Sequence, residues 1–436
     1  MKRKIVKLNN GGNLIYEKSK QTNATAVEVG FKIGAFNEKK PGTAHFLEHT
    51  LFKKTKNRDN VKLENDRSEI VFLNATTSAE YIILTFYRSN KLIEKSMEFA
   101  SDVLINSVLD DEFMESERQV IIEELGICKD AEDRDIYVRN LRQAQEKTMF
   151  SSDIVGKNET NIKRITFKDL LEFKRKYFIG NNFIISVVSS LPFSKIKRLV
   201  NKYFVKNIKF EPNFDPTLPY FESNFINKDS SLKCVNIPQE KVSVLISFKI
   251  NSNEIGLMKN LNFSFLSKYF SGLQGDLFLK LRNRGLIYRI NSDFICFFKE
   301  SLLNLYFETS KEKIPEIIEI LSLQIKSILN NGIKNNYLES YKNNYEYYAD
   351  EKMPRKSTLT VHENLMDYID FGKIIDFTKN QKKKMIQSVS ESGIKNIAKQ
   401  IFNKNNKIFV TVMGDVKSSK IPNLEFFKEK LLIAEE

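Results

Sequence analysis

The segment His45-Phe46-Leu47-Glu48-His49 decides how the rest of this chain is read, and it holds two of the three histidines in 436 residues. On a helix, His45 and His49 stand at i and i+4, so both imidazoles project from one face and can grip one ion. Glu48 lies three positions after His45 on the same side, within reach of a water on that ion. A tetrahedral Zn²⁺ held by two imidazoles is short of a protein ligand, so a further donor is expected from elsewhere in the chain.

Working outward, the next anomaly is the segment 113–128. Phe113, Glu117, Val120, Glu124 and Cys128 recur at helical spacing and predict one stripe on a helix. Two carboxylates on an otherwise apolar face are costly to bury unpaired, and a divalent cation with histidines around it removes that cost.

These residues resemble the pitrilysin-type zinc peptidases, marked by an inverted His-x-x-Glu-His and including the mitochondrial processing peptidase subunits. The family pattern is matched by Gly42-Thr43-Ala44-His45-Phe46-Leu47-Glu48-His49-Thr50-Leu51-Phe52-Lys53. A second pattern is matched by Glu117-Arg118-Gln119-Val120-Ile121-Ile122-Glu123-Glu124, and a third by Asn74-Ala75-Thr76-Thr77-Ser78-Ala79-Glu80. The resemblance implies zinc on His45, His49 and Glu124, one ion per chain, with Glu117 orienting a ligating histidine and Glu123 the weaker candidate. It implies that Asn74 and Ala75 belong to a strand whose edge pairs with an extended peptide substrate. In the second half, Leu277-Phe278-Leu279-Lys280-Leu281-Arg282-Asn283-Arg284-Gly285-Leu286-Ile287-Tyr288 is similar to a segment that sends an Arg and a Tyr to the substrate. Tyr288 fits that role, and Arg282 is chosen for the arginine, with Arg284 the alternative.

The implied chemistry is hydrolysis of peptide bonds in short or unfolded peptides, precursor or leader-peptide processing included. The zinc leaves one position for water, and Glu48 takes its proton and passes it to the leaving amine. The competing reading is an inactive structural or assembly subunit of the same fold.

The organisation of the chain agrees with a duplication. Pro212, Pro216 and Pro219, three of nine prolines, interrupt any regular element near the midpoint. Val27-Glu28-Val29-Gly30-Phe31-Lys32-Ile33 is echoed 217 residues later by Val244-Leu245-Ile246-Ser247-Phe248-Lys249-Ile250. Ile165-Thr166, Leu170, Phe178 and Asn181-Asn182 are echoed 224 residues later by Val389-Ser390, Ile394, Phe402 and Asn405-Asn406, and an apolar run follows each set. Tyr81–Tyr87 is predicted as a strand, 92–108 and 113–128 as helices, and Asn10-Gly11-Gly12 as a hairpin turn. The expected fold is α+β, with two duplicated domains of about 210 residues, each a largely antiparallel sheet packed against helices. The expected division is a zinc-binding domain over 1–211, a linker over 212–235 and a non-metal domain over 236–436. By resemblance, two such domains form half of a clamshell. A homodimer is therefore expected, with a related subunit as the alternative partner.

Composition bounds the rest. Cys128, Cys234 and Cys296 are widely spaced and odd in number, which excludes a disulfide framework and fits a reducing, cytoplasmic setting. The net charge of +14 comes with abundant Lys, Asn and Ile and no groove-reading motif, so no nucleic-acid partner is expected. No apolar run reaches a membrane span, and the polar residues after the basic start argue against a secretory signal. His362 lacks a partner motif and is assigned a surface or helix-packing role.

Overall fold

Val27, Val29 and Phe31 alternate with Ala26, Glu28 and Gly30, yet all six are buried. Such a strand must have both faces of its sheet covered. The computed structural model describes residues 3–19, 23–70, 72–109, 111–144, 151–214, 228–250, 261–272, 276–296, 301–350, 357–371, 379–416 and 421–435. It contains two mixed, largely antiparallel sheets, each packed against helices, and the fold is α+β.

The first sheet comprises β1 (Arg3–Lys7), β2 (Asn13–Lys18), β3 (Ala24–Phe31), β4 (Phe72–Thr77), β5 (Ile82–Ser89) and β6 (Phe183–Ser189). Its spatial order is β1-β2-β6-β3-β5-β4, with only the β2–β6 pair parallel. The hairpin expected at Asn10-Gly11-Gly12 joins β1 to β2, with Lys7 opposite Asn13. The second sheet comprises β7 (Ser231–Asn236), β8 (Val242–Ile250), β9 (Ile290–Cys296), β10 (Ser301–Thr309) and β11 (Ile408–Gly414), ordered β7-β11-β8-β10-β9. Part of the expected linker is thus strand, because Ser231–Asn236 pairs in parallel with β11. Residues 215–227 of that linker lie outside the described residues.

Both sequence echoes are structural repeats. The 217-residue offset relates β3 to β8, a central strand in each sheet. The 224-residue offset relates two cap–helix–strand units. Thr166 caps the helix Phe167–Tyr177 in a reciprocal box with Asp169, and Ser390 caps the helix Glu391–Ile401 by accepting from Gly393 N–H at 3.1 Å. Each cap contributes about 1 kcal/mol, and each helix leads into a wholly buried strand, β6 or β11.

The helices that position the site are α1 (Thr43–Leu51), α2 (Asn60–Ser68), α3 (Ile93–Asn106) and α4 (Asp111–Arg134). Phe46, Leu47 and Leu51 of α1 join Met97, Val103 and Leu104 of α3 and Ile121 and Leu125 of α4 in one core beneath the first sheet. The opposite face of that sheet is covered by a helix from the far half of the chain, Ser357–Phe371. Its Leu365 and Ile369 pack on Ile15, Ile83 and Ile184, while Ser186 Oγ donates to Val361 O and Asn364 donates to Glu17. The second sheet receives α5 (Ile136–Ala144) from the first half of the sequence. Its Asn140 donates to Ser247 Oγ at 2.6 Å and accepts from Thr411 Oγ1 at 2.8 Å. The compact units are therefore Met1–Asp130 with Met149–Phe221 and Met353–Asp376, and Ala131–Thr148 with Glu222–Lys352 and Phe377–Glu436. Each sheet obtains its second cover from a segment of the other half. No helix among the described residues is long and apolar enough to cross a membrane.

Candidate metal centre

Helix α1 begins at Gly42, whose φ of +93° belongs to the left-handed region. A Cβ there would also lie 2.8 Å from Val155 O and from Gly156 Cα, so only glycine fits this start. No Ncap side chain is available. Glu38 substitutes, accepting from Gly42 N–H at 2.7 Å and Ala44 N–H at 2.9 Å. Burial pushes the Glu38 carboxyl up to about 8, against the pull of those amides. The helix is fixed by its apolar residues, which leaves His45 and His49 turned to α4 and Glu48 turned to Thr77 of β4.

One ligand atom each from His45, His49 and Glu124 lies within 4.8 Å of the others. His45 Nε2 is 3.6 Å from Glu124 Oε1, and His49 Nε2 is 3.4 Å from Glu124 Oε2. The two rings meet edge to face with centroids 4.6 Å apart. His49 Nδ1 lies 3.1 Å from Glu117 Oε2, and that contact orients the ring so that Nε2 is turned to Glu124. His45 Nδ1 is buried with no partner among the described residues, so its Nε2 is the atom turned to the cluster. Two imidazole nitrogens and one carboxylate oxygen converging on one point suit a zinc ion and leave a fourth position open.

The charges of the cluster favour a proton on His49 that a bound ion would displace. Hydrogen bonds from His45 and His49 hold the Glu124 carboxyl well below the usual carboxylate range. Burial pulls His49 down, but Glu117 and Glu124, with Glu48 nearby, outweigh it and bring the ring up to about 9. Burial raises Glu117, yet His49 and Lys53 bring it below its ordinary value. Lys53 Nζ sits 2.6 Å from Glu117 Oε1, so the buried carboxylate is compensated by a lysine as well as a histidine. Lys53 lies just past the C-cap Phe52, in the turn that ends α1.

Glu48 Oε2 accepts from Thr77 Oγ1 at 2.9 Å, which leaves Oε1 for other work. Thr77 ends β4, the edge strand of the first sheet, which pairs only with β5 among the described residues. Asn74 and Ala75 lie in this same strand, and the Asn74 amide reaches Thr76 Oγ1 at 3.4 Å. Glu123 points to solvent and does not join the cluster.

The stripe expected on α4 is displaced. Val120 is 50% exposed, while Met114, Ile121 and Leu125 are buried with Glu117 and Arg118. Periodicity located the helix but put its core face about one residue off. Arg118, given no role in the sequence reading, donates to the carbonyls of Ile162 and Ile165 and lies over the Phe46 ring at 5.1 Å. It thereby ties α4 to α1 and to the end of the helix Glu159–Arg164.

In the second unit, the Arg282 guanidinium lies over the Tyr288 ring and over the Phe278 ring, each at 5.6 Å. Tyr288 is 75% exposed. Arg284 instead lies 3.4 Å from Glu316. His362 stands on the helix Ser357–Phe371 with Nδ1 3.2 Å from both oxygens of Glu28, which is buried in β3. It is a helix-packing residue and takes no part in the cluster.

Comparison with known proteins agrees with this geometry. The chain is 26% identical over 411 residues to an uncharacterized zinc protease of Rickettsia bellii, covering 91% of this chain and 94% of that protein. It is 32% identical over 201 residues to the mitochondrial-processing peptidase subunit beta of Saccharomyces cerevisiae, covering 45% of this chain and 43% of that one. The fold is similar to the first half of the periplasmic protease PqqL from Escherichia coli, with a TM-score of 0.81 at 14% identity over 99% of this chain and 97% of that one. Residues 13–156 match the profile described as insulinase (peptidase family M16), and residues 164–345 match that of the peptidase M16 inactive domain. The chain belongs to the insulinase family, peptidase family M16.

Proposed function

We propose that this protein is a zinc-dependent endopeptidase acting on short or unfolded peptides. The observation that carries the proposal is the convergence of His45, His49 and Glu124 beside a carboxylate, Glu48, that is not one of the three. When bound, a zinc ion supplies Lewis acidity that polarises a carbonyl and acidifies water. The protein's own groups do the rest. Glu117, itself held by Lys53, orients the His49 ring so that Nε2 would be presented to the ion. Thr77 occupies Glu48 Oε2, so Oε1 takes a proton from the attacking water and returns it to the leaving amine. The free edge of β4 supplies backbone donors and acceptors to an extended substrate.

The test is cleavage of a fluorogenic peptide library by the zinc-loaded chain, with and without chelator, and by Glu48→Gln. Chelator-sensitive cleavage that is lost in Glu48→Gln, with zinc retained, supports the proposal. Undiminished turnover in that variant removes Glu48 from the mechanism. Loaded protein that cuts nothing favours the inactive structural subunit instead.

For Tyr288 and Arg282 the proposal rests on the sequence resemblance, and Tyr288→Phe is expected to lower kcat with zinc content unchanged. We also propose that the chain self-associates, and sedimentation should give twice the 50.8 kDa chain mass. A mass of one chain contradicts this.

A further inference from the structure

Strand β4 pairs with β5 along its length, from Phe72 opposite Tyr87 to Thr77 opposite Ile82, and its other edge has no partner among the described residues. Side chains alternate along a strand, so Leu73, Ala75 and Thr77 share one face. Thr77 meets Glu48 there, and Leu73 and Ala75 pack against the core of the same unit. Around the start of β4, the end away from Glu48, lies a cavity of about 300 Å³, lined by Glu64, Arg67 and Ser68 of α2 and by Ile70, Phe72 and Leu73.

The chemistry of the cavity is specific. Ile70, Phe72 and Leu73 give it an apolar wall. Glu64 and Arg67 lie 3.7 Å apart at the rim, and the guanidinium also sits over the Phe52 ring at 5.2 Å. Each charge already has its counterpart, so no net charge seeks a ligand of opposite sign. The position is equally defined. Leu73 is four residues before Thr77, about 13 Å at ~3.3 Å per residue. A peptide paired on the free edge has the same rise and the same alternation. The substrate residue opposite Leu73 therefore shares its face with the residue opposite Thr77. Its immediate neighbours point to the other face. Antiparallel pairing, the more stable of the two per residue, makes the residue opposite Leu73 the C-terminal one.

We propose that this cavity is a specificity subsite for an apolar side chain of the substrate, four residues C-terminal to the residue beside Thr77. The inference rests on the peptidase reading and on edge pairing, and adds to them the substrate chemistry at one position. The residue beside Thr77 flanks the cut, so the subsite reads the fourth or fifth residue after it.

The experiment uses the zinc-loaded full chain and a peptide library, with cut sites mapped by mass spectrometry. Leu or Phe over Asp at that position is expected to raise kcat/KM about tenfold or more. Ser68→Trp, at an exposed position of α2, fills the cavity without touching the core, and should erase the preference by raising KM while kcat stays put. Leu73→Asp should reverse it. Cleavage with no preference at that position, or an unaltered profile in Ser68→Trp, overturns the subsite and leaves the peptidase reading standing. If no peptide is cut, the peptidase reading fails. Fluorescence anisotropy of labelled peptides on Glu48→Gln then decides the cavity. Tighter binding of the Leu peptide than the Asp peptide, weakened by Ser68→Trp, supports the subsite, and equal binding overturns it.

Discussion

The Thr77 hydroxyl donates to the Glu48 carboxylate across 2.9 Å, and so joins the last residue of the edge strand to the helix that carries both histidines. The group proposed to move the proton is thereby placed by the strand proposed to hold the substrate. Removing the hydroxyl should leave the metal and the fold intact while freeing Glu48 to rotate. Thr77→Val is expected to lower kcat about 10- to 100-fold, the scale of a misplaced reacting group, with KM and zinc content little changed. Thr77→Ser, which keeps the donor, should recover most of the rate in steady-state assays. An equal loss in both variants contradicts this role.

Glu117 fixes the ring of His49 and is itself held by Lys53. Glu117→Ala is expected to weaken zinc binding about 10- to 100-fold, as when a ligand's supporting carboxylate is removed. Competition with a chromophoric chelator measures it. Lys53→Met should produce a smaller loss in the same assay.

Asp102 anchors a buried polar network, accepting from Thr55 Oγ1 at 2.6 Å, Asn106 Nδ2 at 2.8 Å and Arg58 at 2.6 Å. Burial raises its carboxyl, but these donors outweigh burial and set it below its ordinary value of 3.8. A carboxylate depressed in the folded state contributes stability above its unfolded pKa, and that contribution is lost as pH falls through the folded one. Asp102→Asn is expected to cost about 3 kcal/mol at neutral pH and to flatten the loss of stability below about pH 4. Denaturant unfolding at a series of pH values checks both.

A fragment of residues 1–211 lacks the helix Ser357–Phe371 and exposes Ile15, Ile83 and Ile184 on the bare face of the first sheet. It is expected to bind a hydrophobic dye and to melt without a cooperative transition by circular dichroism. Adding a peptide that spans 353–376 should restore a transition. Cooperative melting of the fragment alone would show that this helix is dispensable.

Much of this was legible in the sequence, for identifiable reasons. His45, Glu48 and His49 share one helix turn, so their convergence followed from helical geometry. The Thr166 and Ser390 caps, each followed by a helix and a buried strand, were visible as an offset because caps and apolar strands are chemically distinctive. The face of α4 was misjudged because Phe113, Val120 and Cys128 have the same period as Met114, Ile121 and Leu125, and period alone does not say which face meets a neighbour. The exchanged helices were not legible at all. Asn140 and Asn364 dock their helices on the sheets through hydrogen bonds, and such residues read as solvent-facing until their partners are known. Thr77 was legible only as part of a matched motif, since a hydroxyl carries no sign of the carboxylate it will meet.

The most direct test of the metal centre is zinc stoichiometry by elemental analysis after reconstitution and dialysis, in the native chain and in His45→Ala, His49→Ala and Glu124→Ala. One tightly held zinc per chain, lost in each of the three variants, is the expected result. A native chain that stays metal-free, or variants that keep their zinc, would contradict the assignment.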